Sequence, residues 1–481
     1  MSGASTSPRV AIAGASGFVG RRLCALLRDR GFAVTALGRS VPDDVEHDGV
    51  TWRRADLFNL KDCERALAGA EVVYYLVHSM LPVTGLTQAS FEDMDLILAD
   101  NVARAAALAG ARRIVYLGGL VPEGTALSRH LESRREVEGA LGAHGVPVTT
   151  LRAGLVIGPE GSSFRILEQL VRRLPSMVLP RWTRERMQPI ALDDVVELLV
   201  RVVEQDAAVG EAIDVGGPEV VSYRGLIERT ARALGRTPSL WDVPVGNPTL
   251  SELWVSGVTG QPRQLTGPLI ESLAHSMVAR DRVAQRALGV DGLGVDEALR
   301  RALAGESVLP DLSVPRGDPG DPPAQVVRSV QRMRLPPGRD SAWAATEYLA
   351  WLPRFLWPVV RVRPLDGERY QLRALGMTLL ELTWSPERST PSRALLYVTG
   401  GRLARLGGPR PGRLELRVVD HGRVLLAAIH DFAPRLPWRI YLLSQAPAHL
   451  AVMAGFRRHL GRLAARARGA ASVGEGGQPP A

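Results

Sequence analysis

Val10-Ala11-Ile12-Ala13-Gly14-Ala15-Ser16-Gly17-Phe18-Val19-Gly20-Arg21-Arg22-Leu23-Cys24-Ala25-Leu26-Leu27 decides the fold of this chain. The first four residues are an apolar run that reads as a buried strand, and the stretch after Gly20 reads as a helix. Between them glycine recurs at positions 14, 17 and 20. Glycine at those places lets the backbone turn tightly, lets a pyrophosphate approach the main chain, and lets the helix lie close against the strand. The free N–H groups of the helix N-terminus then face the anion. A dinucleotide site is the expected outcome.

The pattern that follows supports it. From Arg9 to about Gly158 short apolar runs alternate with longer helical stretches, the signature of a parallel sheet with crossover helices. Strands are expected at Val10 to Ala13, Ala33 to Leu37, Thr51 to Arg54, Val72 to Leu76, Arg113 to Leu117 and Thr149 to Leu151. This is an α/β, doubly wound Rossmann sheet. Beyond Gly158, a helical stretch Phe164 to Leu174, a strand-like Ala212-Ile213-Asp214-Val215 and a helix Tyr223 to Leu234 predict a small substrate lobe, residues 159–305, over the C-terminal edge of the sheet. Residues 1–305 thus form the dinucleotide-binding domain with its lobe. Residues 306–325, dense in Pro, Gly and Asp, read as a linker. Residues 326–468 read as an α+β domain, with strands such as Leu379 to Trp384, Ala394 to Val398, Leu414 to Val419 and Val424 to His430 before a helix at about Ala448 to Ala465. Residues 469–481 read as a disordered tail.

With 481 residues, 46% of them hydrophobic, the chain can bury large cores. No uninterrupted apolar stretch is long enough for a membrane span, and no early stretch reads as a signal peptide, which predicts a cytoplasmic protein. Cys24 and Cys63, the two cysteines, have neither metal nor disulfide spacing, so no metal site is expected. The net charge of +9 is unevenly spread: residues 325–481 carry 24 basic against 10 acidic side chains, while the rest of the chain is net negative. That excess has two readings. It can attract anionic lipid in peripheral contact, or it can follow from composition, since every basic residue but Lys61 is arginine. No motif for nucleic acid accompanies it, and nucleic-acid binding is not expected. In the same half Trp343, Tyr348, Trp351, Phe355 and Trp357 lie among Arg354, Arg361 and Arg363; they read as core, as a lipid-facing patch or as the wall of a ligand cavity, with Pro353 and Pro358 arguing against one continuous amphipathic helix.

The spacing Gly-x-x-Gly-x-x-Gly, with Ala55-Asp56-Leu57, Tyr74-Tyr75-Leu76-Val77-His78-Ser79 and Leu151-Arg152-Ala153-Gly154, resembles the extended and atypical branches of the short-chain dehydrogenase/reductase superfamily. The resemblance implies cofactor contacts from Gly14, Ser16, Gly17, Phe18, Val19 and Gly20, adenine beside Asp56 and Leu57, and the nicotinamide side near Leu76, Val77, Gly118 and Arg152. With Val73 to Met80, His130 to Arg134 and Pro248-Thr249-Leu250-Ser251-Glu252-Leu253-Trp254-Val255, the whole chain resembles bacterial NAD(P)H-binding, reductase-like proteins of NmrA-like or epimerase-like type. Their appended domain is similar to helix-grip folds of the START-like type. The residue after the second strand separates the two nicotinamide cofactors: a carboxylate accepts from a ribose hydroxyl, an arginine pairs with a 2′-phosphate. Here Arg39-Ser40 stands there, so NADP(H) is expected over NAD(H).

Active members of the superfamily use Tyr-x-x-x-Lys after the fifth strand. Lys61 is the sole lysine and Leu57 precedes it by four, so the pair is absent. His130 and Arg134 stand at the matching place, one helix face apart by four residues. Arg134 can hold ribose but cannot relay a proton, whereas His130 can. Gly118-Gly119 replaces the usual serine, and His78 at the end of the fourth strand is a further candidate catalytic residue. Two functions fit: an NADP(H)-dependent oxidoreductase acting on a small apolar carbonyl, enone or quinone, or an inactive NADP(H)-binding redox sensor or scaffold.

Overall fold

The computed structural model describes residues 8–78, 86–122, 127–243, 256, 257, 260, 267, 271–317, 326–408 and 410–474. Ser79, Met80, the stretch Pro248 to Val255 and the tail from residue 475 lie outside them. The chain divides into two compact units, Met1–Leu81 with Asp95–Pro319, and Pro82–Met94 with Gly320–Ala481.

The elements run β1 (Arg9–Ala13), α1 (Phe18–Asp29), β2 (Ala33–Gly38), β3 (Val45–His47), β4 (Val50–Arg54), α2 (Leu60–Ala66), β5 (Val72–Tyr75), β6 (Leu86–Gln88), α3 (Phe91–Leu108), β7 (Arg113–Gly119), α4 (Arg129–Gly142), β8 (Val148–Ala153), α5 (Ser162–Arg173), α6 (Leu192–Glu204) and α7 (Tyr223–Ala233). In the first unit the strand Ala212–Val215, then β8, β7, β5, β1, β2, β4 and β3 make one sheet. It is parallel except for the β3–β4 hairpin. The order reverses between β1 and β5, the switch point where an α/β sheet takes its ligand. The strand Ala212–Val215, which the sequence places in the lobe, pairs with β8 and extends the main sheet instead.

The strands read as apolar runs because both faces are covered. Ile12, Trp52, Val72 and Tyr74 are fully buried, and Leu23 and Leu27 of α1 meet Leu198, Leu199 and Val202 of α6 in the same core. Each such leucine contributes about 1.5–3 kcal/mol by leaving water. Tyr74 is accommodated there because its hydroxyl donates to the Leu199 carbonyl at 3.0 Å.

The second unit is a sheet of strands 360–364, 369–374, 377–384, 393–400, 413–419, 424–432 and 327–334, antiparallel throughout, closed at one edge by β6 in parallel. Tyr348, Trp351 and Leu352 from the helix Ser341–Phe355, and Met453, Phe456 and Leu460 from the helix Gln445–Gly474, pack with Leu396, Leu414 and Leu425 of the sheet. The aromatic cluster divides accordingly: Tyr348 and Trp351 are core, while Phe355 and Trp357 are exposed. The helix passes through Pro353 and ends at Phe355, before Trp357 and Pro358. The final helix runs to Gly474, so residues 469–474 belong to it and not to a tail. Among the described residues no helix is long and apolar enough to cross a membrane, and no cluster could hold a metal.

Candidate cofactor and active site

The glycine turn has the geometry that a bound pyrophosphate needs. Gly14 takes φ +93°, a conformation that disfavours any side chain, and a Cβ there would sit 3.0 Å from the Leu76 main chain. At Gly20 a Cβ would come within 2.2 Å of the Gly14 carbonyl oxygen, so only glycine lets α1 lie on the turn. Gly17 is the N-cap of α1 and supplies no side-chain cap, which leaves the first-turn N–H groups of Phe18, Val19 and Gly20 toward the turn. These residues fit a dinucleotide.

Arg39 and Ser40 follow β2 and are exposed. Asp43, the first carboxylate after β2, is engaged elsewhere: it pairs with Arg65 at 2.5 Å and accepts from the Arg54 amide. Asp56 accepts from the Phe58 amide at 3.2 Å, shaping the turn before the α2 cap at Asn59, and the Leu57 carbonyl accepts from Asn101. Arg21, one turn into α1, is held by Glu160 at 2.6 Å and Asp311 at 2.9 Å. Arg152 forks onto Glu138 of α4 at 2.8 and 3.1 Å. Leu76 and Val77 leave β5 beside the turn, Leu76 being the residue that Gly14 touches.

The structure brings His78, His130 and Arg134 together and adds a residue the sequence had not singled out, Asp95 of α3. Ser128 caps α4, its hydroxyl accepting from the Leu131 amide at 3.3 Å and bonding Ser272 at 3.0 Å, and so fixes the helix face that carries His130 and Arg134. The Arg134 guanidinium meets Asp95 Oδ2 at 2.5 Å and also touches His78 Nδ1, which is 3.0 Å from the same carboxylate oxygen. The His78 and His130 rings lie 5.2 Å apart at 44°.

Burial and the Arg134 charge, in that order, push both imidazoles down, His130 well below the usual range. The His78 side chain is 29% exposed, and its Nδ1 is engaged by Asp95 and Arg134. Both rings are therefore neutral near pH 7. Tyr75 and Tyr116 are fully buried, and burial pushes both hydroxyls up, that of Tyr75 well up. Gly118 has a steric reason for replacing serine: a Cβ would press the Tyr116 ring at 3.0 Å and the Thr150 methyl at 3.2 Å.

His130 borders a cavity of about 190 Å³ with Gly119, Ile166, Leu167, Leu170, Trp182, Tyr223 and Leu226. The lining is mostly apolar, with β7 at its floor and α5 and α7 as walls. A single imidazole facing such a space can hydrogen-bond one oxygen of a small apolar molecule.

Curated relatives align with parts of the chain. Auxiliary protein GraX of Staphylococcus aureus is 28% identical over 147 residues, which are 30% of this chain and 43% of that protein. Ceramide reductase of Caulobacter vibrioides is 32% identical over 197 residues, 40% of this chain and 59% of that protein. The chain thus spans less than two thirds of the length of either. An NADPH-dependent quinone oxidoreductase of Escherichia coli, solved with NADPH, superposes with a TM-score of 0.49 and 18% identity over 61% of this chain and 99% of its own. Residues 14–205 match the family described as NAD(P)H-binding, a span that holds the glycine turn and every site residue from Gly14 to Arg152.

Proposed function

We propose that the first unit is an NADP(H)-dependent oxidoreductase of the atypical short-chain type, which reduces a small apolar carbonyl, enone or quinone. The observation that carries this reading is His130, a neutral imidazole on the wall of the apolar cavity beside the end of β7. Gly14, Gly17 and Gly20 cradle the pyrophosphate, and Arg39 reads the 2′-phosphate. Bound NADPH supplies hydride at the nicotinamide ring. His130 donates one N–H to the substrate oxygen as negative charge develops there, the role of a neutral electrophilic imidazole and not of an imidazolium acid. A proton from water completes the reduction. Asp95 and Arg134 hold His78 and, through α4, position His130.

The test is NADPH oxidation by the full chain across aldehydes, enones and quinones. His130→Ala should lower turnover about 10²-fold or more, the usual effect of losing one oxyanion donor, with NADPH affinity kept. Unchanged turnover removes His130 from the mechanism.

One observation favours the second reading, a non-catalytic NADP(H) sensor or scaffold. Arg134, the residue standing in for the ribose-binding lysine, is buried and committed to Asp95. Tight NADPH binding with no turnover of any panel member would decide for it.

For the second unit we propose a helix-grip-like fold that touches anionic lipid. The pairing Val360↔Ala374 brings Val359 beside the turn at Leu375 on the sheet edge. Trp357, Val359 and Leu375 are 71%, 58% and 87% exposed there. Arg361, paired with Arg373, and Arg402, which reaches Met377, give the apolar knob a cationic rim suited to a lipid surface. Flotation with vesicles containing phosphatidylglycerol, but not with phosphatidylcholine alone, is expected, and Trp357→Ala with Leu375→Ser should abolish it; equal flotation by that variant overturns the assignment.

A further inference from the structure

The Pro-, Gly- and Asp-rich stretch after residue 305, expected as a linker, is held against the first unit along residues 307–317. Ser307 donates to Asp193 at 2.6 Å. Asp311 takes Arg21 in a fork at 2.9 and 3.0 Å. Leu312 is 4% exposed and joins the core that holds Val41. Ser313 donates to Asp48 at 2.7 Å. Finally the Gly317 amide donates to the Ser40 carbonyl at 3.1 Å. Side chains are excluded at that last contact, since a Cβ on Gly317 would lie 3.0 Å from the Val41 main chain.

This strap forms one side of an open cleft of about 610 Å³, whose lining includes Arg21, Ser40, Glu160, Asp311 and Arg316. Arg39 and Ser40 leave β2 where a dinucleotide presents its adenosine ribose. The two arginines that line this cleft, Arg21 and Arg316, differ in availability. Arg21 is neutralised by Asp311 and Glu160. Arg316 is exposed, borders the same cleft as Ser40, and precedes the residue bonded to Ser40.

We propose that Arg316, carried by the strap, is a second reader of the cofactor's 2′-phosphate, opposite Arg39. The inference rests on the NADP(H) reading above. A dianionic phosphate takes two guanidiniums well, each in forked hydrogen bonds, and a strap fixed at Arg21, Asp48 and Ser40 holds Arg316 in place before the ligand arrives. That lowers the ordering cost of the contact.

The experiment is calorimetric titration of the full chain with adenosine 2′,5′-bisphosphate and with adenosine 5′-monophosphate, which differ only in the 2′-phosphate. Wild type should prefer the bisphosphate. Arg316→Ala should lose about tenfold or more of the affinity for it, the scale of one charged hydrogen bond, and keep its affinity for the monophosphate. Gly317→Val, which pushes the strap from Ser40 and leaves Arg39 intact, should reduce the same preference. If Arg39→Ala abolishes the preference while Arg316→Ala and Gly317→Val retain it, the strap has no part and the NADP(H) reading stands. Equal loss for both ligands in Arg316→Ala also overturns the proposal. A wild type without preference overturns the NADP(H) reading itself.

Discussion

Asp95 Oδ2 lies 2.5 Å from Arg134 Nη2, with the two side chains 1% and 8% exposed. A buried ion pair gains little over apolar packing, but removing one partner leaves a charge without solvent or counter-ion. Asp95→Ala should therefore destabilise the first unit by about 3–5 kcal/mol, read as a shift in urea unfolding. The double variant Asp95→Leu/Arg134→Met should recover most of that loss. Additive losses in the double-mutant cycle would mean the pair is not coupled.

The same pair marks how far the sequence could be read. The sheet was legible because apolar runs, glycines and Asp56 obey local rules. Asp95 was not, since its partner lies 39 residues away and one carboxylate in a helix reads as solvent-facing. A weak signal existed: Asp95 stands directly before the apolar run Leu96-Ile97-Leu98-Ala99 of α3, where a carboxylate is drawn into the core and needs a partner. The strap was missed for the opposite reason. Pro, Gly and Asp suggested a linker, and the apolar Leu309, Leu312 and Val314 among them, which pack on the core, were outweighed. The strand Ala212–Val215 was legible as a strand, but its place beside β8 depends on tertiary pairing that no local pattern encodes.

The glycine turn carries a steeper prediction. Gly20→Ala puts a methyl 2.2 Å from the Gly14 carbonyl oxygen, against backbone that cannot move aside cheaply. Loss of NADPH binding is expected together with a lowered Tm, whereas Gly17→Ala, whose Cβ would meet the same oxygen at 3.3 Å, should keep the fold and lose part of the affinity. Equal affinities in the two variants would show that α1 does not need the close approach.

Cavity size should govern substrate choice. Ile166 is half-buried on α5 and borders the cavity of about 190 Å³. Ile166→Trp fills much of that space without touching the glycine turn. Turnover of the larger substrates in the panel should fall first, through KM, with NADPH affinity unchanged. A variant as active on large as on small substrates would place the reaction elsewhere.

Acid should weaken the fold before carboxylates begin to titrate. His449 is pushed down to about 4 by burial alone, and its ring bonds the Ser329 hydroxyl at 3.1 Å. His78 and His130 are lowered too. For a group whose folded pKa is depressed, the unfolded chain takes up the proton first, so stability is full above about pH 6.5 and falls as pH drops toward the folded value. Each such histidine costs up to about 1.4 kcal/mol per pH unit in that window. Thermal unfolding followed from pH 7.5 to 5.5 should show Tm falling, and His449→Gln, which keeps a hydrogen bond to Ser329 and cannot titrate, should flatten part of the slope. A slope identical to wild type in that variant would mean that His449 charges in the folded state as readily as in the unfolded one, and that the site around it is open to water.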